Sequence, residues 1–268
     1  MGRDTSKVTV LVYRHRHGED VSVYATPELI RPSAYDAVAL DPTTAKAFVE
    51  RHHYAGSCSS SSHTFGLYER GELAGVAVFG ALVSMNAHRF VFGDLGTKEA
   101  VTLGRFVLVD SVPGNGESWF IARCFAMLRE RRVVAVESCA DPVRGHRGTI
   151  YQATNGHHVG RTNAATRYML PDGSELSNRA LSKLTGGERG AGRAVDQLVR
   201  FGAASPDPSD DVTAWLRWWR PQICRSFRHP GNYRYLWALD KRHRRSVLGR
   251  FAAVPYPKLT AGMAGKEI

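Results

Sequence analysis

Three polar side chains in the middle of the chain could take part in catalysis, and two of them lie within or directly after apolar runs. Arg105 is the one charge inside a strand-like run, Asp141 directly follows a second such run, and Tyr151 lies further on, before an Asn-Gly turn. Aspartate can act as a general base or a metal ligand, and tyrosine can act as a general acid. The structural alternatives are a salt bridge at Arg105, an Asx turn at Asp141 and a core aromatic at Tyr151.

Two further groups of side chains could join this chemistry. Ser118 is in the first turn of a predicted helix, where it could contact a cofactor phosphate or an acceptor, or only cap the helix. His52, His53 and Tyr54 close an earlier helix, where they could supply a base, a stacking ring or metal ligands. Solvated histidines at a helix C-terminus are the alternative, because the helix dipole favours them there.

The elements that must position these groups follow from apolar periodicity and turn residues. In chain order they are a strand over 103–110, a turn over 111–118, an amphipathic helix from Trp119, a strand over 133–141 and a short helix before Asn155-Gly156. A strand that leads through a glycine-rich turn into a helix directs several backbone N–H groups to one place. We therefore predict that a cofactor phosphate or a developing negative charge is held by Gly114, Asn115, Gly116 and Ser118.

The rest of the chain adds strands and helices to this centre. Residues 1–35 supply N-terminal strands that join the core, a helix begins near Asp41, residues 65–82 form a hairpin, and residues 167–170 return as another strand. These elements predict an α/β fold with a mixed central sheet flanked by helices. We place the catalytic core at 36–175 and a basic, aromatic-rich, nucleic-acid-binding extension at 176–268.

The charge distribution favours nucleic acid as a partner over the alternative of a merely soluble basic protein. The net charge is +11, and most of it lies between Arg225 and Arg250, where eight Lys or Arg accompany one acid, Asp240. The tryptophans Trp215, Trp218 and Trp219 are spaced like a helical core, although they could also hold an extruded base. The predicted DNA contacts are Arg234, Lys241, Arg242, Arg244 and Arg245.

The cysteines and the hydropathy pattern indicate the compartment. The four cysteines lie far apart and form no C-x-x-C pair, so we interpret them as small apolar residues in a reducing environment. No apolar run approaches the roughly 20 residues that a membrane span requires. We therefore expect a cytoplasmic protein with no membrane partner.

Local sequence motifs are more specific than this outline. The chain contains GRFVL, an N-x-E-S-W-F-I turn, an S-x-A-D-P-x-x-G-H-x-G-T-I-Y-Q-A-T-N run and a late HPGNYRY. The element order resembles the core of GNAT acyltransferases, and the motifs resemble phage Mom-type DNA modification proteins over residues 40–241. This resemblance implies that the functional residues are Tyr54, Arg105, Ser118, Asp141 and Tyr151.

The resemblance also implies a reaction: addition of a carbamoylmethyl-type group to adenine N6 in double-stranded DNA, which protects phage DNA from restriction in the host cytoplasm. The small-molecule donor would be acetyl-CoA or a related acyl compound, and Fe(II) could bind at His52, His53 and His146 with Asp141. However, VPGNGES lacks the leading Arg or Gln of the acetyl-CoA-binding GNAT turn. The alternatives are a GNAT N-acyltransferase for another amine (a hypermodified base, a tRNA or a protein) and a non-enzymatic nucleic-acid binder.

Overall fold

The computed structural model describes residues 10–16, 19–26, 28–58 and 61–258 of the 268-residue chain. The chain divides into two compact units. We call them the sheet unit, which comprises the chain up to Thr162 and again from Asn232, and the inserted unit, Asn163–Gly231. These boundaries differ from the ones expected at residues 35 and 175, because the chain returns to the main sheet after the inserted unit.

Strands and helices are numbered along the chain. The strands of the sheet unit are β1 (Val10–Arg16), β2 (Glu19–Thr26), β3 (Tyr35–Ala39), β4 (His63–Glu69), β5 (Glu72–Gly80), β6 (Ala100–Leu108), β7 (Ala135–Ala140), β8 (His157–Arg161) and β12 (Tyr233–Ala238). Its helices are α1 (Pro42–His52), α2 (Met85–Phe92), α3 (Gly116–Glu130), α4 (Thr149–Ala153) and α8 (Arg244–Leu248). The inserted unit contains β9 (Ala165–Met169), β10 (Glu175–Leu176), β11 (Arg225–His229), α5 (Asn178–Thr185), α6 (Gly192–Arg200) and α7 (Val212–Ile223).

Among the described residues, the main sheet has seven strands in the order β3-β4-β5-β6-β7-β12-β8. Neighbouring strands are antiparallel except β6 and β7, which run parallel. Helices pack against both faces, so the predicted α/β fold with a mixed central sheet is confirmed. Within the described ranges, no helix is long and apolar enough to cross a membrane.

The parallel pair β6 and β7 opens partway along its length. The pairing of the two strands ends at Leu103 opposite Ser138. Beyond this point β6 continues to Leu108 beside β5, whereas β7 continues to Ala140 beside β12. At the same place the register of β6 against β5 skips Gly104, which forms a bulge. The two strands therefore separate toward their carboxyl ends, and we call the gap the β6–β7 opening.

The bulge places the side chains of β6 on two faces of the sheet. Before it, Leu103 packs in the core formed with α3 and α4, which includes Phe120 and Tyr151. After it, Val107 packs against α1 on the other face. Because side chains alternate along a strand, Arg105 shares the face of Val107. A charged residue near the opening is thus directed to the α1 side, while Tyr151 approaches from the α4 side.

Two helices on the α1 side show how local sequence sets helix boundaries. Asp41 caps α1 by accepting a hydrogen bond from a first-turn amide at 2.8 Å. Ser84 caps α2 in the same way at 3.2 Å, and Gly93 ends α2 with a φ of 68°. The sequence analysis did not predict α2, although Ser84 and Gly93 are its start and stop signals. Residues of α2 and α8 share one apolar cluster with Leu236 of β12.

The N-terminal strands form a sheet of their own. β1 and β2 pair antiparallel as a two-stranded sheet, which differs from the prediction that they join the main sheet. The chain reaches the sheet unit's core just after them, at residues 28–30. There Gly114 donates its amide to the Glu28 carbonyl at 3.1 Å, and its own carbonyl accepts from the Ile30 amide at 2.9 Å. Residues 28–30 thus pair with the turn before α3.

The inserted unit has a small sheet and its own apolar core. β9 lies between β10 and β11, so the strand predicted at residues 167–170 belongs to this sheet and not to the main one. Trp215 is buried in the core and its Nε1 donates to the Ala204 carbonyl at 2.8 Å, whereas Trp218 is 67% exposed. In the sheet unit, Thr162 and Asn232 close the two ends of the insertion with two hydrogen bonds of 2.8 and 2.9 Å.

Candidate active site

A buried chain of hydrogen bonds lies at the apex of the β6–β7 opening. Ser138 Oγ is 2.9 Å from the Leu103 carbonyl oxygen and 2.8 Å from Tyr151 Oη. A carbonyl oxygen can only accept, and a serine hydroxyl has one proton. Ser138 therefore donates to Leu103, and Tyr151 donates to Ser138. The sequence analysis did not single out Ser138, although it begins the motif that contains Asp141 and Tyr151.

Tyr151 is a core aromatic whose hydroxyl reaches Ser138 at the apex of the opening. Its ring centroid lies 5.3 Å from that of Tyr235 and 5.4 Å from that of Trp237, both on β12. Burial raises the pKa of Tyr151 far above its usual value, and the nearby Tyr54 acts in the same direction. Tyr151 is therefore a neutral phenol at physiological pH, so its proton is present, although the raised pKa makes it a weaker acid than an exposed tyrosine.

The end of α1 meets the turn that follows β7. Tyr54 stacks on His53 with ring centroids 4.3 Å apart, and its ring lies edge-on to His146 at 5.3 Å. The guanidinium carbon of Arg144 is 5.9 Å from the Tyr54 ring centroid. The turn is held by Asp141, whose Oδ1 accepts from the Val143 amide at 2.9 Å. Tyr54 is thus brought to the segment that runs from Asp141 toward Tyr151.

Asp141 is at the predicted place but also has the structural role given as its alternative. It directly follows β7, at the carboxyl end of a strand that borders the opening. Its carboxylate caps a short 3₁₀ turn, Pro142–Arg144, and its carbonyl accepts from the His146 amide at 2.9 Å. One carboxylate oxygen therefore orders the turn that carries Arg144 and His146. The general-base role of Asp141 stays a prediction.

Arg105 ties the loop after α1 to β6. Its Nε donates to the Ser57 carbonyl at 2.7 Å, and its Nη1 donates to the Gly104 carbonyl at 2.7 Å. These bonds use two of the five guanidinium N–H groups. The Arg105 side chain is half-buried. Arg105 thus places a positive charge beside the bulge at the opening.

The turn before α3 differs from the expected phosphate cradle. Gly116 donates its amide to the Pro113 carbonyl at 3.2 Å, and the amide of Gly114 is used by the Glu28 carbonyl. Gly116 is required sterically, because a Cβ there would lie 2.4 Å from Val112 Cγ1. Asn115 caps α3 from a left-handed conformation, with φ of 66°. Gly114 and Gly116 therefore have structural roles, because their amides are bound within the chain.

Ser118 has a local partner in the first turn of α3. Its Oγ donates to the Asn115 carbonyl at 3.1 Å. Of the five residues that the motifs single out, four gather around the opening, and the role of Ser118 stays a prediction.

The candidate iron ligands do not assemble. Among the described residues, no group of three or more His, Cys, Asp or Glu side chains is arranged to hold a metal ion. His52 lies against Phe48 with ring centroids 4.4 Å apart, and His53 Nδ1 accepts from the Ala55 amide at 3.1 Å. His146 contacts the Tyr54 ring, as described above. These residues do not fit an Fe(II) site, and we derive no step that uses iron.

A basic surface lies on the α8 side of the sheet unit. We define it by Lys241, Arg242, Arg244 and Arg245, which line an open cavity of about 550 Å³ with His157, Leu248, Gly249 and Phe251. All four cationic side chains are exposed. Arg242 is paired with Asp240, with Nη2 3.0 Å from Oδ2, so the charge of Arg242 is partly balanced. Arg244 and Arg245 are therefore the strongest candidates for phosphate contacts.

Arg234, one of the predicted DNA contacts, lies inside the sheet, and its role in DNA binding stays a prediction. It lies on β12 opposite Cys139 of β7, and its Nε is 3.3 Å from Glu137 Oε1. Its side chain is 15% exposed, and Thr102 Oγ1 donates to the other Glu137 oxygen at 2.6 Å. In this buried ion pair the Arg234 guanidinium stabilises the fold, because without it the carboxylate of Glu137 would be buried with no cation to balance its charge.

The geometry defines a class of protein: a mixed α/β fold in which a parallel strand pair separates next to a buried phenol, and whose sheet unit also carries a basic surface. Comparison with known proteins gives the family. The model of the Mom protein family matches residues 36–206, and the chain belongs to this family. It is 28% identical to "Methylcarbamoylase mom" of Escherichia phage Mu over 222 residues, which cover 80% of each chain.

Solved structures with a similar outline are acetyltransferases. One is yncA of Salmonella typhimurium with its cofactor acetyl-CoA, at 9% identity over 78% of this chain and 95% of that one, with a TM-score of 0.38. Another is a GNAT-family acetyltransferase from Streptococcus pneumoniae, at 11% identity over 50% of this chain and 89% of that one, with a TM-score of 0.35. TM-scores this low carry no argument about ligands or activity.

Proposed function

We propose that this protein is a DNA modification enzyme that adds a carbamoylmethyl-type group to adenine N6 and thereby protects phage DNA from restriction in the host cytoplasm. The observation that carries the proposal is the gathering of Tyr54, Arg105, Asp141 and Tyr151 around the β6–β7 opening. Membership in the Mom family supports it, as does the likeness to a protein named methylcarbamoylase. The basic surface supports DNA as the substrate.

The proposed step forms one bond and breaks one. Adenine N6 is a weak nucleophile because its lone pair is delocalised into the ring, so the donor must be an activated small molecule. A carbamoylmethyl product requires a leaving group on the methylene carbon of the donor, whereas an acyl thioester attacked at its carbonyl carbon would give an N6 amide. N6 forms a bond to the reacting carbon of the donor while the bond from that carbon to the leaving group breaks. Asp141 accepts the proton released by N6, and Tyr151 supplies a proton to the leaving group. In the resting site the Tyr151 phenol donates this one proton to Ser138, which orients the ring. When the proton passes to the leaving group, the Ser138 hydroxyl turns from the Leu103 carbonyl to donate to the phenolate left on Tyr151.

The remaining residues of the site have positioning roles in this proposal. Arg105 places a positive charge where negative charge develops on the donor. Tyr54 offers an aromatic face beside His146 and Arg144, against which an adenine can stack. Chemistry at N6 generally requires the base to be rotated out of the duplex, and an aromatic face stabilises a base in that state.

Nucleoside analysis tests the proposal directly. We expect DNA from cells that express the protein to yield a new adenine-derived nucleoside by mass spectrometry, and to resist restriction enzymes whose sites contain adenine. Cells that carry an empty vector provide the control. If deoxyadenosine is the sole adenine nucleoside in the digest, the proposal is wrong. A new thymidine- or cytidine-derived species would favour the alternative acyltransferase acting on a hypermodified base.

The basic surface is tested by salt dependence. Replacing Arg244 and Arg245 with alanine should flatten the plot of log K against log salt by about 0.9 per lost phosphate contact, or about 2 in total. The loss should be similar for any DNA sequence, because phosphates carry no sequence information. Titration of a short duplex at several salt concentrations measures it. The matched control replaces Arg123 and Arg129, exposed arginines of α3, and should keep the wild-type slope.

If the wild type and the Arg244→Ala/Arg245→Ala variant have equal slopes, these two arginines do not contact DNA phosphates, and the DNA contacts lie outside α8. A change of slope in the α3 control would show that net charge alone accounts for binding.

A further inference from the structure

An aromatic side chain is held rigidly on the surface of the sheet unit. Phe90, near the end of α2, is 59% exposed, although its neighbours on the helix, Val91 and Phe92, are buried. Its ring centroid lies 5.5 Å from that of Phe251, nearly edge-on, and the guanidinium carbon of Arg234 lies 5.6 Å from its ring centroid. An exposed phenylalanine is not unusual by itself. Phe90 differs because two side chains fix its ring from the protein side.

The support for this ring extends into the sheet. Arg234 is paired with the buried Glu137 of β7, so the cation near Phe90 is fixed in position. Arg250 donates from Nη2 to the carbonyls of Arg89 and Phe90, each at 3.3 Å. These bonds join the end of α2 to the segment just after α8. The ring is therefore ordered before any partner arrives, which lowers the entropy cost of binding to it.

The ring pair of Phe90 and Phe251 borders the basic surface. Phe251 lines the same cavity as Lys241, Arg242, Arg244 and Arg245. An apolar ring face beside several cations matches a nucleic acid strand, whose phosphates pair with the cations while an unpaired base stacks on the ring. A protein partner with an acidic surface would match the cations but would leave no role for a flat, fixed aromatic face.

We infer that Phe90 and Phe251 form a stacking platform for an unpaired base of the DNA strand that the basic surface holds. The identification of the strand as DNA rests on the proposed function. The platform goes beyond it, because it assigns base contacts to α2 and to the segment after α8, outside the β6–β7 opening. An enzyme that extrudes one base leaves the complementary base on the other strand unpaired, and a platform of this kind can hold an unpaired base.

The test separates base contacts from phosphate contacts. Two single strands of equal length are compared, one with bases and one built from abasic sugar-phosphates, which has the same charge and no ring to stack. The wild type should bind the strand with bases more tightly, and Phe90→Ala should reduce that preference by about 5- to 150-fold, the usual effect of one lost stacking contact. Affinity for the abasic strand should stay within about twofold, because the phosphate contacts remain.

Two further variants make the result specific. Phe90→Leu keeps apolar bulk but removes the flat ring, so it should lose the preference while keeping the fold. Trp218→Ala removes another highly exposed aromatic, in the inserted unit, and should keep the full wild-type preference. If Phe90→Ala and Phe90→Leu both keep the wild-type preference, the platform is refuted. That result would leave the proposed function intact, since nucleoside analysis tests it separately and a missing adenine product would refute it whatever Phe90 does.

Discussion

Replacing Tyr151 with phenylalanine should reduce modification of adenine by about 10²- to 10⁴-fold, the usual contribution of a positioned proton donor. The change removes the one proton that Tyr151 directs to Ser138 and leaves the ring in contact with Tyr235 and Trp237. Ser138 keeps its bond to the Leu103 carbonyl, so no buried donor loses its partner. The cost in stability should be about 1 kcal/mol, that of one hydrogen bond.

The yield of modified nucleoside over time measures the first effect, and thermal melting measures the second. Tyr233→Phe is the matched control, because Tyr233 lies on the same β12 strand but contacts Arg161 at the surface, with Oη accepting at 2.7 Å. It should keep full activity. An active Tyr151→Phe enzyme would remove Tyr151 from the mechanism, and an inactive variant that melts far below the wild type would show that its role is structural.

Replacing Arg234 with alanine should destabilise the protein by about 3 to 5 kcal/mol, because it leaves the buried carboxylate of Glu137 without its cation. Thr102 and Cys139 contact the same carboxylate but supply no charge. Burial and that carboxylate raise the pKa of the Cys139 thiol well above its usual value, so Cys139 stays neutral and adds no charge beside Glu137. Denaturant unfolding of the wild type and the variant measures the difference.

An exposed ion pair provides the comparison. Arg179 and Glu188 in the inserted unit approach to 2.9 Å, but their side chains are 55% and 45% exposed. Arg179→Ala should therefore cost at most about 1 kcal/mol. If Arg234→Ala is as stable as the wild type and flattens the salt dependence of DNA binding, then Arg234 is a phosphate contact, as its sequence context first indicated.

The middle of the chain could be predicted because its local signals agree with one another. Residues 103–162 alternate between apolar runs and glycine-containing turns, and β6, α3, β7 and α4 all occur in the predicted order. Boundaries differ by a few residues, since β6 begins at Ala100, where the pairing with β7 also begins. The hairpin of β4 and β5 likewise follows from its turn, where Arg70 and Gly71 both have positive φ.

The features that the sequence did not reveal depend on contacts between distant residues. Arg234 has the same local context as a surface arginine, and only the position of β12 beside β7 places it against Glu137. Gly114 fits a phosphate-binding turn equally well until Glu28 occupies its amide. Ser138 became a candidate only because the pairing of β6 with β7 ends at this residue. The apolar periodicity of a sequence does not show where two strands stop pairing. The general roles of Asp141, Ser118 and Arg105 stay predictions.

The position of β12 has a consequence for the order of events during synthesis. β12 leaves the ribosome after the whole inserted unit, yet it lies between β7 and β8, which are made much earlier. Until it arrives, those two strands have no shared neighbour, and Tyr151 lacks the wall formed by Tyr235 and Trp237. Pairing over so long a sequence separation is slow. A nascent or prematurely terminated chain that lacks β12 therefore contains every residue of the proposed site without the wall beside Tyr151, and we expect it to be inactive.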